Sequence, residues 1–198
     1  VVALLLAAAA VASAQQSTSG ITAERIFKTI GAQEGLTLCE IGAGDGEMSL
    51  AAARRVGPRG RIYSSELGDG RVKTLREKVA ASGIANITVV AGEAGSTNFP
   101  DGECDAVFMN DVYHHFTDPA AMNRSIAAAL RPGGRLAVVD FTPPGQEAAR
   151  PSDRAKDGMH GVKPETVTRE VKEAGFEPAA SEAGSRWFLV AFVTKPVT

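Results

Sequence analysis

The chain has 198 residues, with 21 Lys and Arg against 23 Asp and Glu, for a formal net charge of −2. One domain with a core of its own is expected at that length, and the near-neutral balance excludes the basic footprint of a nucleic-acid-binding protein. Hydrophobic residues at 44% and charged residues at 22% exclude a disordered chain, and two cysteines, Cys39 and Cys104, are too few for a disulfide scaffold and lack metal-ligand spacing.

Residues 1–12, VVALLLAAAAVA, form an uninterrupted apolar run, and the first 20 residues carry no charge. The run falls short of the roughly 20 residues that span a bilayer. It ends in Ala12-Ser13-Ala14 and then turns polar, as the apolar segment and cleavage site of an export signal do. With neither a charged start nor an initiator Met, the chain is expected to begin inside that signal. Residues 1–18 are therefore set aside as a signal remnant or disordered terminus, and 19–198 are expected to form the domain. The mature protein is expected to begin near Gln15 and to be exported, periplasmic or secreted, with no stable membrane insertion after cleavage. An Ala-rich helix on a cytoplasmic protein is the alternative.

From Ile21 onward helix-like and strand-like segments alternate. An amphipathic helix opens at 21–27, with Ile26, Phe27 and Ile30 on one side. Strands are predicted at 36–41, 61–65, 87–91, 105–110 and 135–141. Helices are predicted at 47–56, stopped by Gly57-Pro58; at 71–81, closed by Gly83; at 119–130, ended by Arg131-Pro132-Gly133-Gly134; and at 164–174, capped by Gly175. Segments 177–181 and 186–194 read as a closing antiparallel pair. Such alternation gives an α/β fold, a parallel sheet covered on both faces. Its ligand site is expected at the carboxyl ends of the strands, where strand order reverses. The stretch 142–163 is long for a structureless loop in a compact domain, so it is expected to be functional or disordered.

The turn Gly42-Ala43-Gly44-Asp45-Gly46 joins the first strand to a helix. Its glycines permit positive φ and close approach of a ligand, and the helix beyond points free N–H groups and a positive dipole end at it. The spacing is G-x-G-x-G, whereas the dinucleotide fingerprint wants G-x-G-x-x-G, and Glu47 stands where its third Gly would be. Glu40, Glu66 and Glu93 end or follow the first three strands. Glu66 suits ribose hydroxyls, Glu93 an exocyclic amine, and Glu40 an ammonium group. Three carboxylates would repel a pyrophosphate but suit a cation that carries a nucleoside.

CEIGAGDGEMSL, GRIYSSEL, AGEAGSTNFPDGECDAVFMNDVYHHF and LRPGGRLAVVDF follow one another as in the class I S-adenosylmethionine-dependent methyltransferases, which the chain resembles over about residues 21–195. The resemblance implies a Rossmann-like three-layer sandwich, its seven-stranded, mostly parallel sheet having the last strand antiparallel. It implies S-adenosyl-L-methionine as cofactor, with Gly42, Ala43 and Gly44 against the methionine part and Glu40 near its amino group. Glu66 would bind the ribose, Leu67 would pack on adenine, and Glu93 and Ala94 would meet the adenine edge. Asn110 and Asp111 would border the sulfonium and the substrate. Two departures are visible. Cys39 precedes the acid where a bulkier apolar residue is usual, and Glu93 stands where a shorter Asp is more frequent.

Methyl transfer from a sulfonium is an in-line displacement, so the protein mainly aligns the nucleophile and excludes water. A base is needed only where the nucleophile must lose a proton. Asp111, His114 and His115 leave the fourth strand beside the expected methyl group and are the candidate catalytic residues. Tyr113 is expected to wall the pocket or donate a hydrogen bond. No metal is expected, because adjacent histidines point apart on most backbones. His160 could close over the site, and Arg150, Arg154 and Lys156 could meet an anionic substrate or form a solvated loop. Trp187 and Phe188 read as core. Cys39 and Cys104 are expected at opposite ends of their strands, so no disulfide is expected between them. A valine at Gly42 is expected to occupy the cofactor's space.

The reading is a methyltransferase for a small-molecule or lipid-like acceptor, with no nucleic-acid partner. A non-catalytic binding protein of the same fold is the alternative. A nicotinamide-dependent oxidoreductase is disfavoured by the glycine spacing and by the lack of a Tyr-x-x-x-Lys pair.

Overall fold

The computed structural model of the protein describes residues 21–195. The apolar run and the expected cleavage site lie outside the described residues. Among those described, no helix is long and apolar enough to cross a membrane.

Seven strands build one sheet: β1 (Thr37–Ile41), β2 (Arg61–Glu66), β3 (Ile87–Ala91), β4 (Cys104–Asn110), β5 (Leu130–Phe141), β6 (Phe176–Ala183) and β7 (Trp187–Thr194). Their order is β3-β2-β1-β4-β5-β7-β6. Pairings from β3 through β5 are parallel, and β7 runs antiparallel between β5 and β6. The order reverses between β1 and β4, where ligands of open α/β sheets bind.

Among the described residues five helices cover the sheet: α1 (Ala23–Thr29), α2 (Glu47–Val56), α3 (Asp69–Ser82), α4 (Pro119–Ala129) and α5 (Pro164–Glu173). Thr22 caps α1, its side chain accepting from the Arg25 N–H, and Asp118 caps α4 in the same way with Pro119 behind it. In α3 the buried residues are Val72, Leu75 and Val79, the spacing of one helical face. On one face of the sheet, Ile26, Phe27, Ala52 and Val56 pack on Leu38, Ile62, Ala106 and Phe108. On the other, Met122, Ile126, Val167 and Val171 pack on Cys39, Ile41, Val107 and Met109. The result is the expected three-layer sandwich.

Two details differ from the sequence reading. The ladder of β5 with β4 begins at Leu130, paired with Cys104, and resumes at Arg135, paired with Ala106. Segment 131–134 is thus an excursion inside one strand rather than a break before it. The structure also overturns the expectation that the cysteines lie at opposite strand ends: Cys104 does open β4, but Cys39 sits in the middle of β1 rather than at its carboxyl end. Strict alternation would put Cys104 on the face of Ala106 and Phe108. The bulge instead turns it to the face of Cys39, Val107 and Met109. Because β1 and β4 are neighbours, the two Cα atoms are 5.9 Å apart and Cys39 and Cys104 are disulfide-bonded.

Candidate active site

A cleft of about 330 Å³ opens at the carboxyl ends of β1, β2 and β4. Ile41, Gly42, Glu66, Leu67, Glu93 and Ala94 line one side, and Asp111, Val112, His115 and Phe116 the other.

The glycine turn is shaped for close approach. Gly42, Gly44 and Gly46 have φ of 70, 54 and 81°. At Gly42 an added Cβ would sit 2.5 Å from Val112 Cγ2. Gly42→Val therefore collides with the protein itself and strains its backbone, which makes it a poor probe of ligand space. Gly42 and Ala43 donate to Ser65 O, each at 3.0 Å, which ties the turn to β2.

Glu66 is nearly buried at the end of β2. It accepts from the Gly44 N–H at 2.8 Å and from the Leu67 N–H at 2.7 Å, and the Arg71 guanidinium lies 3.4 Å away. A carboxylate has about four acceptor positions, so two remain for hydroxyl donors from the cleft. Beside it Leu67 is 39% exposed, an uncovered apolar side chain at the lip that suits a stacked ring. Glu93 pairs with Ser96 through the backbone, 2.8 and 3.3 Å, which curls residues 93–96 toward the cleft. On β4, the buried Asn110 Oδ1 has no hydrogen-bond partner among the described residues. Asn110 does not line the cleft; the two free acceptor positions and the open apolar lip fit a nucleoside.

Glu40 departs from the simple picture. It is buried in β1, does not line the cleft, and accepts from the Ser49 hydroxyl, which in turn accepts from Ser64 Oγ at 2.7 Å. Burial pushes its carboxyl up to about 8, against the opposing pull of the Ser49 hydrogen bond.

On the other wall Asp111 has φ of 64°, a left-handed conformation for a non-glycine residue at the mouth of the cleft. Partial burial, then the nearby Asp140 carboxylate, raise its carboxyl above the usual range. After it residues Tyr113–His115 form a single 3₁₀ turn. His115 borders the cleft, and partial burial, then His114 and His160, lower its imidazole. His114 does not face the acceptor as expected. It is fully buried, with Nδ1 2.9 Å from Asp140 Oδ1 and Nε2 2.8 Å from His160 Nε2. The 3₁₀ turn also keeps the adjacent rings of His114 and His115 together, with centroids 4.0 Å apart, contrary to the expected divergence. Neither histidine caps α4, a role that Asp118 fills.

Tyr113 is buried beneath the site rather than lining it. Its hydroxyl accepts from Asn123 at 2.8 Å and donates to Glu170 at 3.1 Å. Loop 142–163 is docked. Arg154, 3% exposed, donates to Glu170 Oε2 at 3.0 Å, and Lys156 donates to Asp153 at 2.6 Å. Arg150 lies 4.0 Å from Asp153, so each of the three cations has an acidic neighbour within the protein. Trp187 packs on Phe141, centroids 4.9 Å apart, and Phe188 is buried, as core residues.

Sequence reading missed Asp140 and Glu170. Both look like routine residues in a strand and a helix, and only the fold brings them under His114 and Tyr113.

Comparison with known proteins fits this geometry. A family model described as a methyltransferase domain matches residues 39–138, half of the chain. The chain is 29% identical over 125 residues to the ubiquinone/menaquinone biosynthesis C-methyltransferase UbiE of Shewanella woodyi, an alignment over 63% of this chain and 50% of that protein. It thus spans about half the length of the curated relatives it matches. A S-adenosylmethionine-dependent methyltransferase from Aquifex aeolicus superposes with a TM-score of 0.73 at 24% identity, over 86% of this chain and 88% of that one. The [4+2]-cyclase SpnF superposes with a TM-score of 0.76 at 17% identity, over 88% and 80%. At such identities these structures speak for the fold alone. The family match, with the fold around it, assigns the chain to the S-adenosylmethionine-dependent methyltransferases of the methyltransferase-domain family.

Proposed function

We propose that the chain transfers a methyl group from S-adenosylmethionine to a small acceptor that enters beside Asp111 and His115. The observation that carries this reading is the cleft at the strand ends, with a nucleoside-type wall on one side and a polar wall on the other. When bound, S-adenosylmethionine supplies an electrophilic methyl group on a sulfonium.

In this reading Glu66 holds the ribose hydroxyls with its two remaining acceptor positions, and Leu67 covers the adenine while Glu93 and Ala94 meet its edge. Gly42, Ala43 and Gly44 let the methionine part lie against backbone. Asp111 and His115 orient the acceptor and take its proton where it carries one. Val112 and Phe116 supply apolar walls that exclude water. The cleft favours a compact, partly apolar acceptor. The quinone-pathway C-methyltransferases among the relatives support that choice.

Export belongs to the same proposal. The apolar run of residues 1–12 supports it, and so does a disulfide in the sheet, since such bonds persist in oxidising compartments. Residues 1–18 would then belong to the export signal and 19–198 to the methyltransferase domain.

The test is release of S-adenosylhomocysteine across a panel of small phenols, quinols, amines and thiols. At least one acceptor should accelerate it, and Asp111→Ala should slow that turnover at least tenfold while leaving affinity for S-adenosylhomocysteine in place. The cyclase of the same fold shows why turnover must be measured. Binding of the cofactor without turnover on any acceptor would favour a non-catalytic binding protein.

A further inference from the structure

The chain has three histidines, and the fold gathers all of them at one point. His114 and His115 come from the 3₁₀ turn after β4, and His160 comes from the loop between β5 and α5. One ring nitrogen from each lies within 4.8 Å of the others. Behind His114, Asp140 on β5 accepts from Nδ1 at 2.9 Å. The Asp140 carboxylate is itself pinned by the N–H groups of His114, at 3.0 Å, and Phe141, at 2.8 Å. A carboxylate so placed fixes the Nδ1–H tautomer and leaves the Nε2 lone pair pointing at His160. Histidines that ligate metals are held in the same way, by a carboxylate on the far ring nitrogen.

We propose that His114, His115 and His160 form a binding site for a divalent transition-metal ion of the zinc type, with Asp140 orienting His114. Three imidazole nitrogens suit zinc and its neighbours, whereas magnesium and calcium want oxygen ligands. A tetrahedral ion with bonds of about 2.0–2.1 Å spreads its ligand nitrogens to about 3.3 Å. The His114–His160 separation of 2.8 Å must therefore widen by about half an ångström. His160, exposed on its loop, supplies that movement. The competing group of Asp111, His114 and Asp140 would use His114 Nδ1, and so would sacrifice the hydrogen bond that orients the ring.

Three nitrogen ligands leave a fourth position open, as in catalytic zinc centres. His115 and Asp111 border the cleft, which sets the proposed ion beside the acceptor side. An acceptor oxygen, nitrogen or sulfur held there would be polarised by the ion, and Asp111 would remain as the free proton acceptor. This use of the ion rests on the methyl-transfer reading; the metal site does not.

The test uses the untagged, oxidised full chain, stripped of metal. Its two cysteines are joined, so no free thiol competes for the ion. Calorimetric titration with Zn²⁺ alone should show one equivalent bound, and Co²⁺ should give the visible absorption of a tetrahedral centre. His160→Ala should weaken binding at least tenfold, and its exposed loop position keeps the fold intact. Asp140→Asn should weaken it by about 10–100-fold, as loss of an orienting partner does. Absence of a one-equivalent site, or zinc binding unchanged in both His160→Ala and His115→Ala, would overturn the proposal. Affinity for S-adenosylhomocysteine in the same preparations keeps the two readings apart. Normal nucleoside binding without zinc uptake would overturn the metal site alone.

Discussion

The two walls of the cleft are built in different ways. The wall from β1, β2 and β3 is local. Its glycine turn follows directly on β1, and Glu66 and Glu93 each stand at or just beyond the end of their own strand. The wall from β4 and β5 is assembled at a distance. His114 meets Asp140, 26 positions away, and His160, 46 positions away, and Tyr113 meets Glu170 across 57 positions. The local wall uses backbone geometry and single side chains at the cleft. The distant wall uses buried polar pairs that must all form together. The first can be read along the chain, while the second exists only once the sheet has closed.

The disulfide joins the two walls, since Cys39 lies on β1 and Cys104 on β4. Replacing both with Ala removes a cross-link over a separation of 65 residues and should cost about 4 kcal/mol of stability in urea unfolding. An unchanged midpoint in oxidising buffer would show that the walls are held by packing alone.

On the distant wall, Glu170→Ala leaves Arg154 buried without its carboxylate and removes the acceptor of the Tyr113 hydroxyl. A loss of about 3 kcal/mol is expected, with earlier proteolysis in loop 142–163. A variant as stable as the wild type would mean that this loop is not docked through Arg154.

On the local wall, Glu40 sets a pH dependence. Its folded pKa is raised from 4.5 to about 8 by burial, so between those values the folded state holds a proton that the unfolded state has released. Stability should therefore fall as pH rises from 4.5 to about 8 and level off above, by a few kcal/mol at most. Denaturant midpoints for the wild type and Glu40→Gln measure this. The variant should lose the slope, and an identical slope in both would assign it to another group.

Smaller effects separate ligand contacts from scaffold. Glu66→Ala should weaken S-adenosylhomocysteine binding at least tenfold. Leu67→Ser should weaken it only a few-fold and leave the melting temperature in place, because Leu67 is exposed. Equal effects from the two would deny the ribose and adenine roles assigned to them.

The same contrast explains what the sequence made legible. Helix and strand positions followed from apolar periodicity and from end signals such as Asp118-Pro119 and Gly83, and the strand-end acids could be placed from spacing alone. The disulfide was missed because Cys39 lies in the middle of β1 rather than at its carboxyl end, within reach of Cys104 at the start of β4. Glu40 looked like a ligand-facing acid, yet the register of β1 buries it against Ser49. The histidine cluster was legible only in part: His160 was expected to close over the site, but the carboxylate behind His114, Asp140, comes from another segment. The adjacent pair also sits on a tight turn rather than an extended strand.

The central claim is that the cleft beneath the glycine turn takes a sulfur-linked nucleoside. Titration calorimetry of the folded, oxidised chain with S-adenosylhomocysteine tests it most directly. Saturable binding at one site per chain is predicted. A correctly folded protein that takes up neither this compound nor S-adenosylmethionine would contradict it.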